Sequence, residues 1–406
     1  VTPPSRPNPI NARFTRISEL RVVGASGTNK VMAGELSRLT RRAIGGVPLP
    51  EPRKMGTGAL IYPFDPRVAR VAALYQHTCT RVFWDLLETH AERLEPLYED
   101  VLAGLGPDLT QWVYDGARIS VEAHDVRSFA AGERQVVGTV KNAWMDAAAQ
   151  HGLRLRVDGE RPDVVIAVRS DDGLTRVSID LAGRAMNQRG YRHAPGLAPL
   201  REDTAAVLLM LARYDARSEV LIDPMAGSGT IAIEAACMAG ARPIWLAPRG
   251  PLFPKLPAMR EVSQQEAPPL FADTHARILA NDHDPDAIAL LRRSMVSAEV
   301  SASIETRNQD FRALTPEAIR RWQAEHGAVD RPGLILSNPP YGERLDDPDL
   351  LSLYRDLGRW CRQLRGFRAA FLVANLEFER AFGIAPRIKK PLRNGPLRAY
   401  FYMYDL

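Results

Sequence analysis

The sequence predicts an α/β protein of more than one domain, in which a largely parallel, doubly wound sheet follows an α+β front half. Three observations carry this reading. The chain has 406 residues, too many for one ordinary hydrophobic core. From residue 201 onward, short apolar runs alternate with amphipathic helical stretches, the pattern of strands covered by helices on both faces. Where the first of those runs ends, a glycine turn leads straight into a helix.

The first 75 residues combine a strand over 16–24, a helix over 31–43 and a strand over 59–62, with a glycine- and proline-rich link at 45–52. This resembles half of a small α+β sandwich. A second region, 76–183, alternates helical stretches (94–105, 137–151) with β-like runs at 118–123, 164–169 and 176–181. Residues 184–200 mix glycine, proline and basic residues and read as an inter-domain linker. The α/β domain, 201–406, opens with a helix over 201–213 and a buried-type strand over 220–222, followed by a helix over 231–239. Strand–helix pairs are expected at 277–281 with 286–298 and at 333–337 with 350–364, and final strands at 371–374 and 399–404. The stretch 247–271 contains six prolines and reads as a loop insertion.

Composition narrows the class. Hydrophobic residues at 45% and charged residues at 25% are globular values that argue against disorder. The three cysteines, Cys79, Cys237 and Cys361, are odd in number and lack metal-type spacing, which points to a reducing compartment with neither a disulfide framework nor a zinc site. The longest apolar runs are too short to cross a bilayer, and residues 1–8 are proline-rich without an apolar signal core. A soluble cytoplasmic protein is expected. The net charge of +5 is unevenly spread: +8 over 1–75, −7 over 76–183 and +4 thereafter. A polyanionic partner is compatible with this distribution, though charge alone does not establish one.

Three motifs carry chemistry. The segment Val220-Leu-Ile-Asp-Pro-Met-Ala-Gly-Ser-Gly-Thr-Ile231 reads as strand, tight turn and helix start. Gly227 and Gly229 allow close backbone approach to a ligand, and the free N–H groups of the following helix can hold a carboxylate. Asp223 at the strand tip suits an ammonium group, so the turn as a whole (Asp223, Pro224, Ala226, Gly227, Ser228, Gly229, Thr230) fits the amino-acid end of S-adenosylmethionine. No lysine follows Gly229 as a phosphate loop requires, and Ala232 stands near where a dinucleotide fingerprint needs its third glycine. Downstream, Asp282 with His283 ends the second strand, where a carboxylate holds ribose hydroxyls. Asp284 and Asp286 read as the N-cap and first-turn acids of the next helix, and a metal site there lacks calcium-loop spacing. Asp310 and Phe311, ending a third strand, could accept from an adenine amine and pack on its ring.

The third motif is Ser337-Asn-Pro-Pro-Tyr341. An exocyclic base amine is a poor nucleophile because its lone pair is delocalised into the ring. Acceptors that bind its hydrogens turn the lone pair towards an electrophilic methyl, and the Asn338 side-chain oxygen and the Pro339 carbonyl can do this. Pro339 and Pro340 stiffen the backbone, and Tyr341 can stack on a base turned out of its helix. No strong general base is needed, because the nitrogen can lose its proton after transfer.

These residues resemble the class I RNA guanine-N2 methyltransferases that carry a THUMP domain, most closely the bacterial large-subunit (23S) ribosomal RNA type. The resemblance rests on Ser178-Ile-Asp-Leu-Ala-Gly183 with Gln188-Arg-Gly-Tyr-Arg192, on Ala198-Pro-Leu-Arg-Glu202, on the 223–230 and 337–345 motifs, and on Asn394-Gly-Pro-Leu397. It covers residues 178–406 by motif and the first 177 by layout. It implies a Rossmann-like class I methyltransferase domain preceded by a ferredoxin-like region (1–75) and a THUMP RNA-binding domain (76–183). It also implies S-adenosylmethionine as cofactor, Asn338 to Tyr341 as catalytic loop, and RNA as partner, either large-subunit ribosomal RNA or a pre-ribosomal particle, with no membrane and no metal. Some relatives carry a second methyltransferase module; this chain stops after one, so one modification is expected. The expected THUMP region is acidic, so RNA contact there is local or falls to Arg13, Arg16, Arg38, Arg41 and Arg42. Arg189, Arg192, Arg344 and Arg393 stand beside motifs and could neutralise phosphates.

The same loop chemistry serves DNA adenine-N6 and protein glutamine-N5 methyltransferases. The β-containing front half and the Gln188–Arg192 hinge favour RNA, with tRNA guanine as the nearest rival target. A non-catalytic RNA-binding assembly factor is the alternative from another class, and intact Asn338, Gly227 and Gly229 weigh against it.

Overall fold

The structure, a computed structural model, describes residues 13–45, 48–126, 129–171, 173–192, 200–245, 250–340, 348–394 and 397–406. Its front half is built on strands β1 (Phe14–Gly24), β2 (Arg53–Met55), β3 (Ala59–Pro63), β4 (Cys79–Thr89), β5 (Arg118–His124), β6 (Arg156–Val157), β7 (Val164–Asp171) and β8 (Leu174–Asp180). They form one sheet in the order β2-β3-β1-β4-β8-β7-β5-β6. The boundary expected at residue 75 therefore does not separate two sheets. β4 pairs antiparallel with β1 on one side and β8 on the other, so regions 1–75 and 76–183 meet in a shared ladder. Arg21 and Asp85, on facing strands, form a buried ion pair at 2.8 Å, and the Ser178 hydroxyl adds a hydrogen bond to the same carboxylate at 2.6 Å.

Helices Asn29–Thr40, Pro66–Tyr75, Leu94–Leu105 and Glu133–Gln150 pack on this sheet. The second starts where Asp65 accepts from the Arg67 backbone N–H at 2.8 Å and Pro66 occupies the first position, which needs no N–H. Trp84, Trp112 and Trp144 run through the core, the first pair edge to face and the second tilted, with successive ring centroids 6.0 and 6.1 Å apart.

The second sheet contains β9 (Val220–Asp223), β10 (Ile278–Asp282), β11 (Ile304–Asn308), β12 (Gly333–Ser337), β13 (Arg368–Val373), β14 (Ile388–Asn394) and β15 (Leu397–Asp405). Their order is β11-β10-β9-β12-β13-β15-β14. The first five are parallel, and β15 runs antiparallel to both neighbours. One face is covered by helices Glu202–Leu211, Thr230–Gly240 and Pro285–Ser297, the other by Pro316–Glu325, Pro348–Cys361 and Phe378–Phe382. The chain leaves β9 towards β10 and β11, then returns to β12 on its other side, so the ligand crevice of an open α/β sheet falls between the tips of β9 and β12. No helix among the described residues is long and apolar enough to cross a membrane.

The stretch expected to be a loop insertion is instead part of the front half's core. Phe253, Leu256, Met259 and Val262 lie on short helical turns and are buried in the same cluster as Trp112, Trp144 and Leu181. Backbone bonds tie its leading side to the front half: Ile244 N–H donates to Leu74 O at 2.8 Å, and Phe253 N–H to Leu181 O at 2.8 Å. The Trp245 indole donates to Ala73 O at 2.6 Å, and Arg70 donates to Gln265 O and Glu266 O.

Beneath this strap the halves meet at one buried carboxylate. Glu234, on the helix that follows the glycine turn, lies 2.8 Å from His77 Nδ1 and 3.3 Å from Arg189 Nη2, and accepts from the Tyr191 hydroxyl at 3.2 Å. Arg189 also donates to His77 O and Met186 O. Burial alone would raise the Glu234 carboxyl, but the Arg189 charge and the His77 hydrogen bond outweigh it and hold it down to about 2. A carboxyl depressed on folding stabilises above its unfolded value near 4.5, and that contribution disappears as pH falls from there towards 2. Replacing Arg189 by Ala leaves the buried charge without its strongest partner and is expected to cost about 3–5 kcal/mol. Urea unfolding at pH 7 checks this: a loss below 1 kcal/mol would contradict the clamp.

Candidate active site

The site is assembled from the bottom of the turn upward. Asp223 closes β9, and its carboxylate accepts from the Ser337 hydroxyl at 2.6 Å and from Met225 N–H at 3.3 Å. Ser337 is the last residue of β12, so this bond ties the tips of the two strands flanking the crevice. Burial, with a smaller push from the Asp282 charge, raises Asp223 to about 7 against the lowering effect of its two donors.

The turn beyond Asp223 is braced from β10. The Asn281 amide donates to Pro224 O at 3.0 Å and Gln309 O at 2.9 Å, and Asn281 O receives Ala226 N–H. Asp282 accepts Gly227 N–H at 2.7 Å with one carboxylate oxygen and Asp284 N–H at 3.0 Å with the other. Gly227 and Gly229 both have positive φ, +52° and +81°. A Cβ on Gly229 would come within 1.9 Å of Leu291 Cδ1, whereas one on Gly227 would meet nothing within 4 Å. The first glycine gives the turn its course, and the second also lets the helix Thr230–Gly240 pack on the neighbouring helix.

A cavity of about 390 Å³ opens above this turn. Asp223, Ala226, Gly227, Ser228, Thr230 and Asn338, all singled out in the sequence, line it. Asp284 and Asp286, read as capping acids, line it too. Asp284 does cap its helix, accepting Asp286 N–H at 2.9 Å, and the spacing that makes a cap also turns both acids to the opening. Sequence reasoning missed Leu200, Met225, Ile231 and Leu290, which give the cavity its apolar wall; apolar residues beside a glycine turn carry no signal that separates wall from core.

Other expected contacts stand elsewhere. Pro224 and Gly229 are buried within the turn, and His283 is exposed and 3.3 Å from Asp282. Asp310 lies outside the cavity lining: it caps a short turn and its two oxygens accept from Arg312 backbone and side chain. Phe311 is a core residue in edge contact with Trp360, centroids 5.9 Å apart, and is not placed as a ring platform. Among the arginines, Arg189 is 2% exposed and spent on the Glu234 clamp, which removes it as a phosphate contact. Arg192 pairs with Glu202 at 2.7 Å and donates to Leu200 O and Thr230 Oγ1, bracing the cavity rim. Arg13 pairs with Asp100 and Arg16 with Asp108, while Arg38 and Arg42 lie over the Phe271 ring of the strap. Arg393 is exposed. Tyr341 and Arg344 lie outside the described residues.

Asn338 is the chemically open group. It is half-buried on the cavity wall, and its Oδ1 is buried with no hydrogen-bond partner among the described residues. A buried acceptor left without a donor is costly, so such an atom marks a place where a donor belongs. Pro339 is buried behind it, and the Pro340 carbonyl accepts from the Tyr354 hydroxyl at 2.8 Å, which pins the loop to the helix Pro348–Cys361. Among the described residues no group of three or more His, Cys, Asp or Glu is placed to hold a metal ion.

A sheet of this order, with a glycine turn after its central strand and an Asn-Pro-Pro loop after the next, defines a Rossmann-like methyltransferase fold. The chain belongs to the RMKL-like methyltransferase domain family (UPF0020), which matches residues 189–401. It is 31% identical over 401 residues to the ribosomal RNA large subunit methyltransferase K/L of Syntrophotalea carbinolica, covering 94% of this chain and 52% of that one. The protein of the same name from Marinomonas sp. is 30% identical over 358 residues, covering 82% and 46%. The chain thus spans about half the length of these curated relatives. A possible methylase from Clostridium difficile 630 is similar in structure, with a TM-score of 0.78 at 27% identity, covering 96% of this chain and 98% of that one.

The two glycines are separable by substitution. Gly229→Ala combines a left-handed backbone with the Leu291 overlap and is expected to cost about 2–4 kcal/mol, against about 1 kcal/mol for Gly227→Ala, which has only the backbone term. Thermal unfolding of both variants checks the order, and equal losses would contradict the packing role of Gly229.

Proposed function

We propose that the protein transfers a methyl group from S-adenosylmethionine to the exocyclic N2 amine of a guanine in RNA, with large-subunit ribosomal RNA as the target. The observation that carries this reading is Asn338 on the wall of a cavity floored by the glycine turn, with a buried Oδ1 that has no hydrogen-bond partner among the described residues. The names of the K/L relatives support the choice of ribosomal RNA. The front half, taken as ferredoxin-like and THUMP regions, presents the RNA, and the cytoplasm is where such a substrate is met.

The cavity fits the cofactor in chemical character. The N–H groups at the start of Thr230–Gly240 suit its carboxylate, and Asp223 suits its ammonium. Asp284 and Asp286 offer acceptors to ribose hydroxyls beside Asp282, whose carboxylate also accepts the Gly227 and Asp284 N–H groups. Leu200, Met225, Ile231 and Leu290 supply an apolar wall. The cofactor, when bound, supplies an electrophilic sulfonium methyl.

The chain's own part is orientation. Asn338 Oδ1 accepts one amine hydrogen and the Pro339 carbonyl the other, which aims the nitrogen lone pair out of the base plane. Tyr354 holds the adjoining Pro340 carbonyl and so fixes the pitch of the loop. The extra proton leaves the nitrogen for solvent after transfer, so a strong base is unnecessary.

Labelled S-adenosylmethionine incubated with separated RNA fractions, followed by nucleoside analysis, tests the reading. Label in N2-methylguanosine of large-subunit RNA is the expected result; label only in tRNA, protein or DNA would replace the target. Asn338→Ala should lower transfer about a hundred-fold or more while cofactor affinity holds within a factor of about two; turnover equal to wild type would remove Asn338 from the mechanism. Because Asp223 must be ionised to pair with an ammonium, cofactor affinity should weaken as pH falls below about 7, by up to about tenfold per pH unit. Calorimetric titrations at pH 6.0 and 7.5 check the sign, and equal affinities would dissociate Asp223 from the ammonium.

A further inference from the structure

The hairpin that ends the second sheet carries two exposed arginines with no ion pair among the described residues. In the β14–β15 register Arg393 stands directly opposite Arg398, and both are exposed. Like charges at facing positions repel and weaken the pairing. Among the described residues neither has a carboxylate partner, although the fold neutralises their neighbours: Lys389 pairs with Glu379 at 2.6 Å and Arg387 with Asp405 at 3.1 Å. A hairpin shaped only for stability would carry opposite charges at this pair.

Their position gives the repulsion a use. β15 runs antiparallel to β13 with Tyr400 opposite Val373, so Arg398 overhangs the carboxyl end of β13, on the rim where Asn338 sits. Side chains alternate along a strand, so Arg398 shares a face with Tyr400, Tyr402 and Tyr404. That is the face covered by Pro348–Cys361, the helix that follows the Asn338 loop. Ser337 is level with Phe371 and Phe371 with Tyr402; two strand spacings and about three residues of rise therefore put the Arg398 backbone about 14 Å from that of Asn338. Half-buried Tyr400 lies beside the pair on the same face.

We infer that Arg393 and Arg398 form a phosphate clamp that holds the substrate RNA strand next to the target nucleotide. The clamp rests on the RNA reading above. Two guanidinium groups brought together by cross-strand pairing present parallel N–H donors that match phosphate oxygens, and the anion removes the repulsion between them. The site binds backbone and so fixes where the strand lies, leaving base choice to the cavity.

The test measures methyl transfer into large-subunit ribosomal RNA by the full chain against RNA and salt concentration. Wild type is compared with Arg393→Gln/Arg398→Gln, and with Arg365→Gln, an exposed arginine at the opposite end of β13. Loss of two phosphate contacts should raise the KM for RNA about tenfold near 0.15 M salt and make the log–log salt slope shallower by about 1.4. Cofactor affinity should hold, and Arg365→Gln should stay within about twofold of wild type. Labelled RNA with unchanged KM and salt slope in the double variant would overturn the clamp alone. A fall in kcat without change in KM would overturn it too, by pointing to a structural role. Wild type that labels no RNA would overturn the RNA reading, and the clamp with it.

Discussion

The Glu234 carboxylate is buried where the two halves of the chain meet, and its partners come from two separate stretches of sequence: His77 from the front half, and Arg189 and Tyr191 from the segment between the halves. A charge so far from water is tolerable only while all of them stay in place. The clamp therefore fixes more than a distance. Glu234 lies one turn along the helix whose first residues floor the cavity, so the orientation of the front half and the orientation of the glycine turn are set by the same bonds. A substrate held by the front half would meet a cofactor site of fixed bearing.

A second group of bonds makes the cavity rigid in its own right. Asn281 and Asp282 brace the turn from one neighbouring strand, and Ser337 reaches Asp223 from the other. Many of the polar groups that make the turn recognisable also hold it in place, and Asp223, Asp284 and Asp286 remain on the cavity wall. Rigid placement matters for a weak nucleophile, because the rate depends on how often the lone pair and the electrophile are aligned. Asn338, whose Oδ1 has no donor among the described residues, is the exception that this rigidity allows.

What could be read in advance follows the reach of each constraint. The glycine turn and the Asn-Pro-Pro loop were legible because their chemistry restricts residue type at consecutive positions. The helix Leu94–Leu105 and the strand Gly333–Ser337 have the expected bounds, since their periodicity is local. β4 was missed: Arg81, Asp85 and Glu88 interrupt its apolar pattern, and they are acceptable there only because partners such as Arg21 and Arg176 lie on adjacent strands. Arg189 looked like a surface arginine because its partners are 45 and 112 positions away. Asp282 and Asp310 read from sequence as ligand contacts, and in the fold they also hold backbone N–H groups, a second task that residue type cannot reveal.

The strap between the halves bears on how such a chain can be divided. Phe253, Leu256, Met259 and Val262 are encoded within the second half but complete the interior of the first. A cut near residue 192 would leave each fragment with an apolar wound: one lacking side chains that fill its centre, the other trailing them into water. The halves are therefore not transplantable modules. Recombination could exchange them only with the strap's counterpart on the other side, so they are expected to be inherited, and to diverge, as a matched set.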